Sequence, residues 1–178
     1  GRLQADKAQL TSSGFSVIPS TPSLANVDAV LSQTGKEYRL KEALADLDSF
    51  DFVVMDTPPS LNIITINALT ASDYAVIPAQ ADIFSLQGIT QLGQTIEAVK
   101  RYTNEDLKVL GIVLTKHNTR SILSRDLQKV ITDTAMQLHT KVYTQYIREA
   151  VAVREAQAMK QDVFSYDPKS NATQDYDA

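Results

Sequence analysis

With 178 residues, 43% of them apolar and 21% charged, the chain is long enough for one compact domain with a real core, and its composition is that of an ordinary soluble protein. It has no cysteine, which excludes a disulfide framework or a thiolate metal site, and its net charge of −4 argues against a uniformly basic nucleic-acid binder. No apolar run approaches the roughly 20 residues that span a bilayer, and no basic-then-apolar leader opens the sequence, so a soluble cytoplasmic protein without a membrane partner is expected.

Taken in chain order, the first element is a short β-branched run, "FSVIPS" (15–20), read as a strand. Two short helices are expected over 23–31 and 38–47. "FVVMD" (52–56) reads as a second strand, with a helix beginning near Ser60, and "YAVIP" (74–78) as a third. Leu86, Ile89, Leu92, Ile96 and Val99 fall on one helical stripe. "VLGIVLT" (109–115) is the fourth strand, followed by a second stripe of Leu123, Leu127, Val130, Ile131 and Leu138. "VYTQYI" (142–147) is the fifth strand, and the sequence stops inside a starting helix capped by Ser170 or Asn171. Several strands are nearly continuous apolar runs, as in parallel sheets covered on both faces. Strand alternating with helix predicts a single α/β domain over 1–178, a mostly parallel sheet with helices on both faces.

Ligands of such sheets bind outside the carboxyl ends of the strands. In "FDFVVMDTPPS" (50–60), Asp56 stands at such an end after four apolar residues. That is the geometry of a Walker B acid, which holds Mg²⁺ directly or through water beside a nucleotide's phosphates. The same acid can also simply cap the following turn. Thr57-Pro58-Pro59 makes the loop stiff, because two prolines fix φ and remove two donors. Stiffness suits either a fixed distance to a γ-phosphate or a rigid turn into a helix.

Charge is uneven. Residues 100–160 hold eleven Lys/Arg against six Asp/Glu, while the remainder holds six against fifteen. This is either solvated helix charge or a basic face for a polyanion such as DNA.

"FDFVVMDTPPSLNIITINALTASDYAVIPAQADIFSLQGITQL" resembles the Walker B region of ParA/Soj-type partition ATPases, relatives of MinD in the deviant Walker A class. "VIPSTPSLANVD", "GIVLTKHNTRSILSRDL" and "YIREAVAVREAQAMKQDVFSYDPKSNATQDY" resemble further blocks of that family, in order, from about Phe15 to Tyr176. The resemblance implies a P-loop NTPase-like fold and an ATPase that forms a homodimer with ATP and Mg²⁺, coats DNA without sequence preference in the nucleoid, and is stimulated by a ParB-like centromere-binding protein. By the same resemblance Asp56 is the catalytic and Mg²⁺-binding acid, acting through water, and Thr57, Pro58 and Pro59 sense the γ-phosphate. Lys116 forms one wall of the adenine pocket, and Ile147 and Arg148 the other. Arg120 and Arg148 match DNA-contact positions, and Arg154 and Lys160, six and twelve residues beyond Arg148, extend that face. Where relatives place Glu before a Gly, this chain has Gln87.

The family's Gly-rich phosphate loop has no counterpart here. The only glycines before Asp56 are Gly1, Gly14 and Gly35, none in a Gly-Lys-Ser/Thr context. The loop is expected either in a longer protein or on another chain, and these 178 residues alone are expected neither to hydrolyse ATP nor to bind it tightly. The alternative is a non-enzymatic DNA- or partner-binding module that has lost ATP binding. His117 and His139 show no partner spacing and read as plain surface or helix residues.

Overall fold

A computed structural model describes residues 15–22, 24, 27, 34–45, 47, 50–118 and 121–178, with the backbone alone at 9–10. The chain divides into two compact units that are interleaved in sequence: Gly1–Asp73 with Thr95–Leu107, and Tyr74–Gln94 with Lys108–Ala178. No helix among the described residues is long and apolar enough to cross a membrane.

In the first unit, β1 (Gln9–Leu10) pairs antiparallel with β2 (Ser16–Val17). Most of the expected helix over 23–31 lies outside the described residues. The helix expected over 38–47 is a 3-10 turn, Lys36–Tyr38, running into α1 (Arg39–Leu44). Gly35 precedes it at φ 78°, a left-handed conformation that costs glycine little. Helix α2 (Ile63–Ala71) is capped by Asn62, whose Oδ1 accepts from the Ile64 amide at 3.0 Å. Buried Asn67 ties α2 to the turn: its Nδ2 donates to the carbonyls of Lys36 and Ile63 at 2.9 Å, and its Oδ1 accepts from the Leu40 amide at 3.0 Å.

The strand expected over 52–56 is not formed. Residues 52–58 carry no ladder, and Phe52 and Val54 are 87% and 93% exposed. An apolar run becomes a strand only when a neighbour satisfies its amides and carbonyls and a layer covers its side chains. Among the described residues it has neither.

The second unit contains the parallel sheet. Strand β3 (Tyr74–Ala79) pairs with β4 (Lys108–Leu114), from Tyr74↔Lys108 to Ala79↔Leu114, with a register slip after Ala75. Parallel strands need a crossover of a dozen or more residues, and α3 (Ile83–Tyr102), whose Ile89, Ile96 and Val99 are buried as its stripe predicts, lies between them in sequence. On the other edge of β4, the Ile112 amide donates to Lys141 O at 2.8 Å and the Ile147 amide to Leu114 O at 2.8 Å. The fifth expected strand is thus present as two parallel bridges, Ile112↔Val142 and His117↔Arg148, because the segment bends at Thr144 between them. Bonded on both edges, β4 holds the core: Ile112 and Leu114 are 0% exposed.

Helix α4 (Ile122–Gln137) is capped by Ser121. Its buried side follows Leu127, Ile131, Ala135 and Leu138, the i, i+4, i+8, i+11 series, while Leu123 and Val130 of the expected stripe are exposed. Three short helices close the chain: α5 (Val151–Ala158), α6 (Val163–Tyr166) and α7 (Asn171–Asp177). Ser170, one of the two expected caps, accepts from the Thr173 amide at 3.2 Å.

Candidate functional site

The carboxyl end of β4 gathers several of the expected residues. The Thr115 amide donates to Ala79 O at 2.7 Å, which levels the ends of β3 and β4. The next residue, exposed Lys116, sits at φ 48°, a left-handed conformation that costs a side chain with a Cβ on the order of 1 kcal/mol. Then the chain turns inward at His117, whose amide donates to Ile147 O at 3.0 Å and which bridges to Arg148. Lys116, Ile147 and Arg148 are therefore brought to one place, the end of a parallel sheet where ligands of α/β proteins bind.

His117 is the residue that sequence reasoning missed. It is only 4% exposed, its Nδ1 is buried without a hydrogen-bond partner, and its ring meets Tyr146 edge-on with centroids 4.9 Å apart. Burial pushes its imidazole below the ordinary pKa, and a hydrogen bond with Gln128 opposes that shift. A buried ring nitrogen without a partner is costly. The available signal was positional, since His117 lies three residues beyond the last residue of β4.

Arg148 is held in a fork by Asp175 of α7. Its Nε donates to Oδ2 at 2.8 Å, its Nη2 to Oδ1 at 2.6 Å, and its backbone amide also to Oδ2 at 2.9 Å. Hydrogen bonding to the guanidinium holds the Asp175 carboxyl below the usual carboxylate range, and the same bond raises Arg148 further. Arg154 in α5 and Lys160 just beyond it are exposed and make no ion pair with another described residue. Arg120 lies outside the described residues.

In the other unit, Asp56, Thr57, Pro58 and Pro59 are all exposed in an irregular stretch. The Thr65 hydroxyl donates to Ser60 O at 2.6 Å and fixes the start of α2 just beyond them. No group of three or more His, Cys, Asp or Glu able to hold a metal exists among the described residues. A lone carboxylate fits Mg²⁺ only as one ligand among waters and phosphate oxygens. Gln87, in α3, is exposed.

Residues 4–109 match the AAA domain family. The chain is 38% identical over 167 residues to the chromosome partitioning protein ParA of Caulobacter vibrioides, covering 92% of this chain and 61% of that protein. It is 38% identical over 168 residues to the sporulation initiation inhibitor protein Soj of Bacillus subtilis, covering 93% and 65%. The chain belongs to the AAA domain family, and within it to the ParA/Soj type. Among solved structures, cobyrinic acid a,c-diamide synthase from Mycobacterium smegmatis superposes with a TM-score of 0.78 at 32% identity, over 97% of this chain and 63% of that one. The same M. smegmatis protein with bound ADP and magnesium gives 0.67 at 38% identity, over 72% and 53%. The fold is accordingly that of the P-loop NTPases of the ParA/MinD kind, α/β with a parallel sheet. This ParA/Soj-type chain spans about three fifths of the length of the relatives it matches.

Proposed function

We propose that this chain forms the base-binding and Walker B part of a DNA-partition ATPase. The observation that carries the reading is the hydrogen bond from the His117 amide to Ile147 O, which sets Lys116 beside Ile147 and Arg148 at the end of β4. The resemblance assigns those residues to the two walls of an adenine pocket, and the unpartnered His117 Nδ1 fits a polar ligand there. ATP and Mg²⁺ supply the phosphoryl chemistry. Asp56 serves as the acid on the Mg²⁺ side, acting through water, and Thr57, Pro58 and Pro59 as the stiff segment facing the γ-phosphate.

The phosphate-cradling loop has no candidate within these 178 residues, so the chain by itself neither turns over ATP nor holds it tightly. In the reading proposed here, ATP drives a homodimer that coats nucleoid DNA without sequence preference, and a ParB-like centromere-binding protein stimulates hydrolysis. DNA phosphates meet Arg120, Arg154 and Lys160. Arg148, whose guanidinium is engaged by Asp175, contributes to the base wall.

The test is hydrolysis and DNA binding by the full-length gene product. Asp56→Ala is expected to reduce ATP hydrolysis to background while the circular dichroism spectrum stays unchanged. ATP-dependent affinity for duplexes of any sequence should fall with salt, and each of Arg120→Ala, Arg154→Ala and Lys160→Ala should flatten the log–log slope by roughly one. Unaltered hydrolysis in Asp56→Ala, or sequence-specific loss of binding, refutes the proposal.

A further inference from the structure

The geometry points to Asp175 as a positioning residue: from the last helix it fixes the main chain of Ile147–Arg148, and through it the seat of His117 at the end of β4. The role for ligand binding rests on the nucleotide reading above; the positioning itself rests on the hydrogen bonds alone.

Helix α7 has only seven residues, too few to be stable by itself, so its placement depends on tertiary bonds. Asp175 stands in its last turn, where the helix dipole disfavours a carboxylate. It is also only 7% exposed, which disfavours a charge again. An acid in the wrong turn and out of water is retained only if a cation compensates it. Arg148 does so, and Asn171 O accepts a further bond from Nη2 at 3.2 Å.

The pattern of these bonds carries more than docking. Asp175 Oδ2 accepts from both the Arg148 side chain and the Arg148 backbone amide. A fork on the guanidinium alone would tether a flexible side chain, whereas the bond to the amide pins the backbone. One residue earlier, Ile147 donates to Leu114 O and accepts from the His117 amide. The sequence of bonds therefore runs from α7 through Asp175, Arg148 and Ile147 to the strand end, across 27 residues between Asp175 and Arg148. Losing the carboxylate leaves the outer half of this seam without its anchor, and Ile147 and Tyr146 no longer close over His117.

The test uses the full-length gene product with Asp175→Asn, Asp175→Glu and Arg148→Lys. Asparagine keeps the size and one acceptor but leaves the guanidinium unneutralised; glutamate restores the charge at a different reach. Three readouts apply: amide hydrogen exchange at His117, NMR titration of the His117 ring, and calorimetric binding of Mg-ATP compared with Mg-tripolyphosphate, which has no base. In Asp175→Asn, exchange at His117 should quicken about tenfold while the β3–β4 amides stay protected. The His117 ring should titrate closer to its ordinary value, and Mg-ATP affinity should fall about tenfold with tripolyphosphate unaffected. Asp175→Glu should recover part of each effect. Unchanged exchange and titration at His117 would overturn the proposal, as would equal weakening of ATP and tripolyphosphate. If Asp175→Asn does not fold, Arg148→Lys decides by the same readouts. Failure of the unsubstituted protein to bind Mg-ATP overturns the nucleotide reading and the ligand role with it, while exchange and titration still decide the positioning.

Discussion

Residues 52–56 and 109–115 are the same kind of sequence, a run of β-branched and apolar residues ending on a polar one, yet they have opposite fates. In "VLGIVLT", Ile112 and Leu114 are wholly buried in a strand bonded on both edges. In "FVVMD", Phe52 and Val54 stand in the open with no ladder. Composition makes a strand possible, and partners make it real. The second run lacks them among the described residues, and its acid, Asp56, stands exposed in the same irregular stretch.

A pair of substitutions separates the two runs. Leu114→Ala should destabilise the chain by about 2–5 kcal/mol, because it empties a closed site in β4. Phe52→Ser should change stability by no more than about 0.5 kcal/mol. Chemical denaturation of the 178-residue chain measures both, and a comparable loss for Phe52→Ser would mean that this run is paired after all. A smaller effect is expected at Gly111, also in β4, where an added Cβ would come within 2.5 Å of the Tyr143 ring and 3.1 Å of Lys141 O. Gly111→Ala should cost about 1–3 kcal/mol through overpacking, read as a lowered melting temperature.

Stability also depends on pH through Asp175 and His117. The Asp175 carboxyl is depressed in the folded state, so its contribution is complete above the ordinary carboxylate pKa and is lost as pH falls through the lower folded value. Melting temperatures from pH 5 to pH 2.5 should fall less steeply in Asp175→Asn than in the unsubstituted chain. His117 is depressed as well, so stability declines once pH drops below about 6.5 and continues to decline toward the folded value. His117→Gln should flatten the stability profile between pH 7 and pH 5. This is the smallest effect, and an unaltered profile would show that His117 is not buried neutral.

The elements legible in the sequence were those whose signal is local. The apolar runs at 74–78 and 109–115, the stripe through Ile89, Ile96 and Val99, and the Ser170 cap needed no knowledge of neighbours. The stripe in α4 was partly misread because Leu123 and Val130 are apolar but Ala135, the smaller residue, marks the face that packs. That Lys116, Ile147 and Arg148 meet at the end of β4 could be anticipated only from the family resemblance, since nothing in their spacing announces that a hydrogen bond joins 117 to 147. His117 carries no partner spacing, and Tyr146, the 147–148 segment and Gln128, all distant in sequence or on another element, are what meet it. The Arg148–Asp175 pair was invisible for a related reason: a pairing across 27 residues is a property of the fold.

Asn67 brings a chemical clock into the first unit. Its carboxamide donates twice, to two carbonyl oxygens, and accepts once. Asparagine slowly hydrolyses to aspartate, and that change would convert the donors facing Lys36 O and Ile63 O into an anion that repels both. Burial in α2 shields the group while the unit is folded. A chain carrying aspartate at position 67 would lose both donors, one of which links α2 to the 36–40 turn.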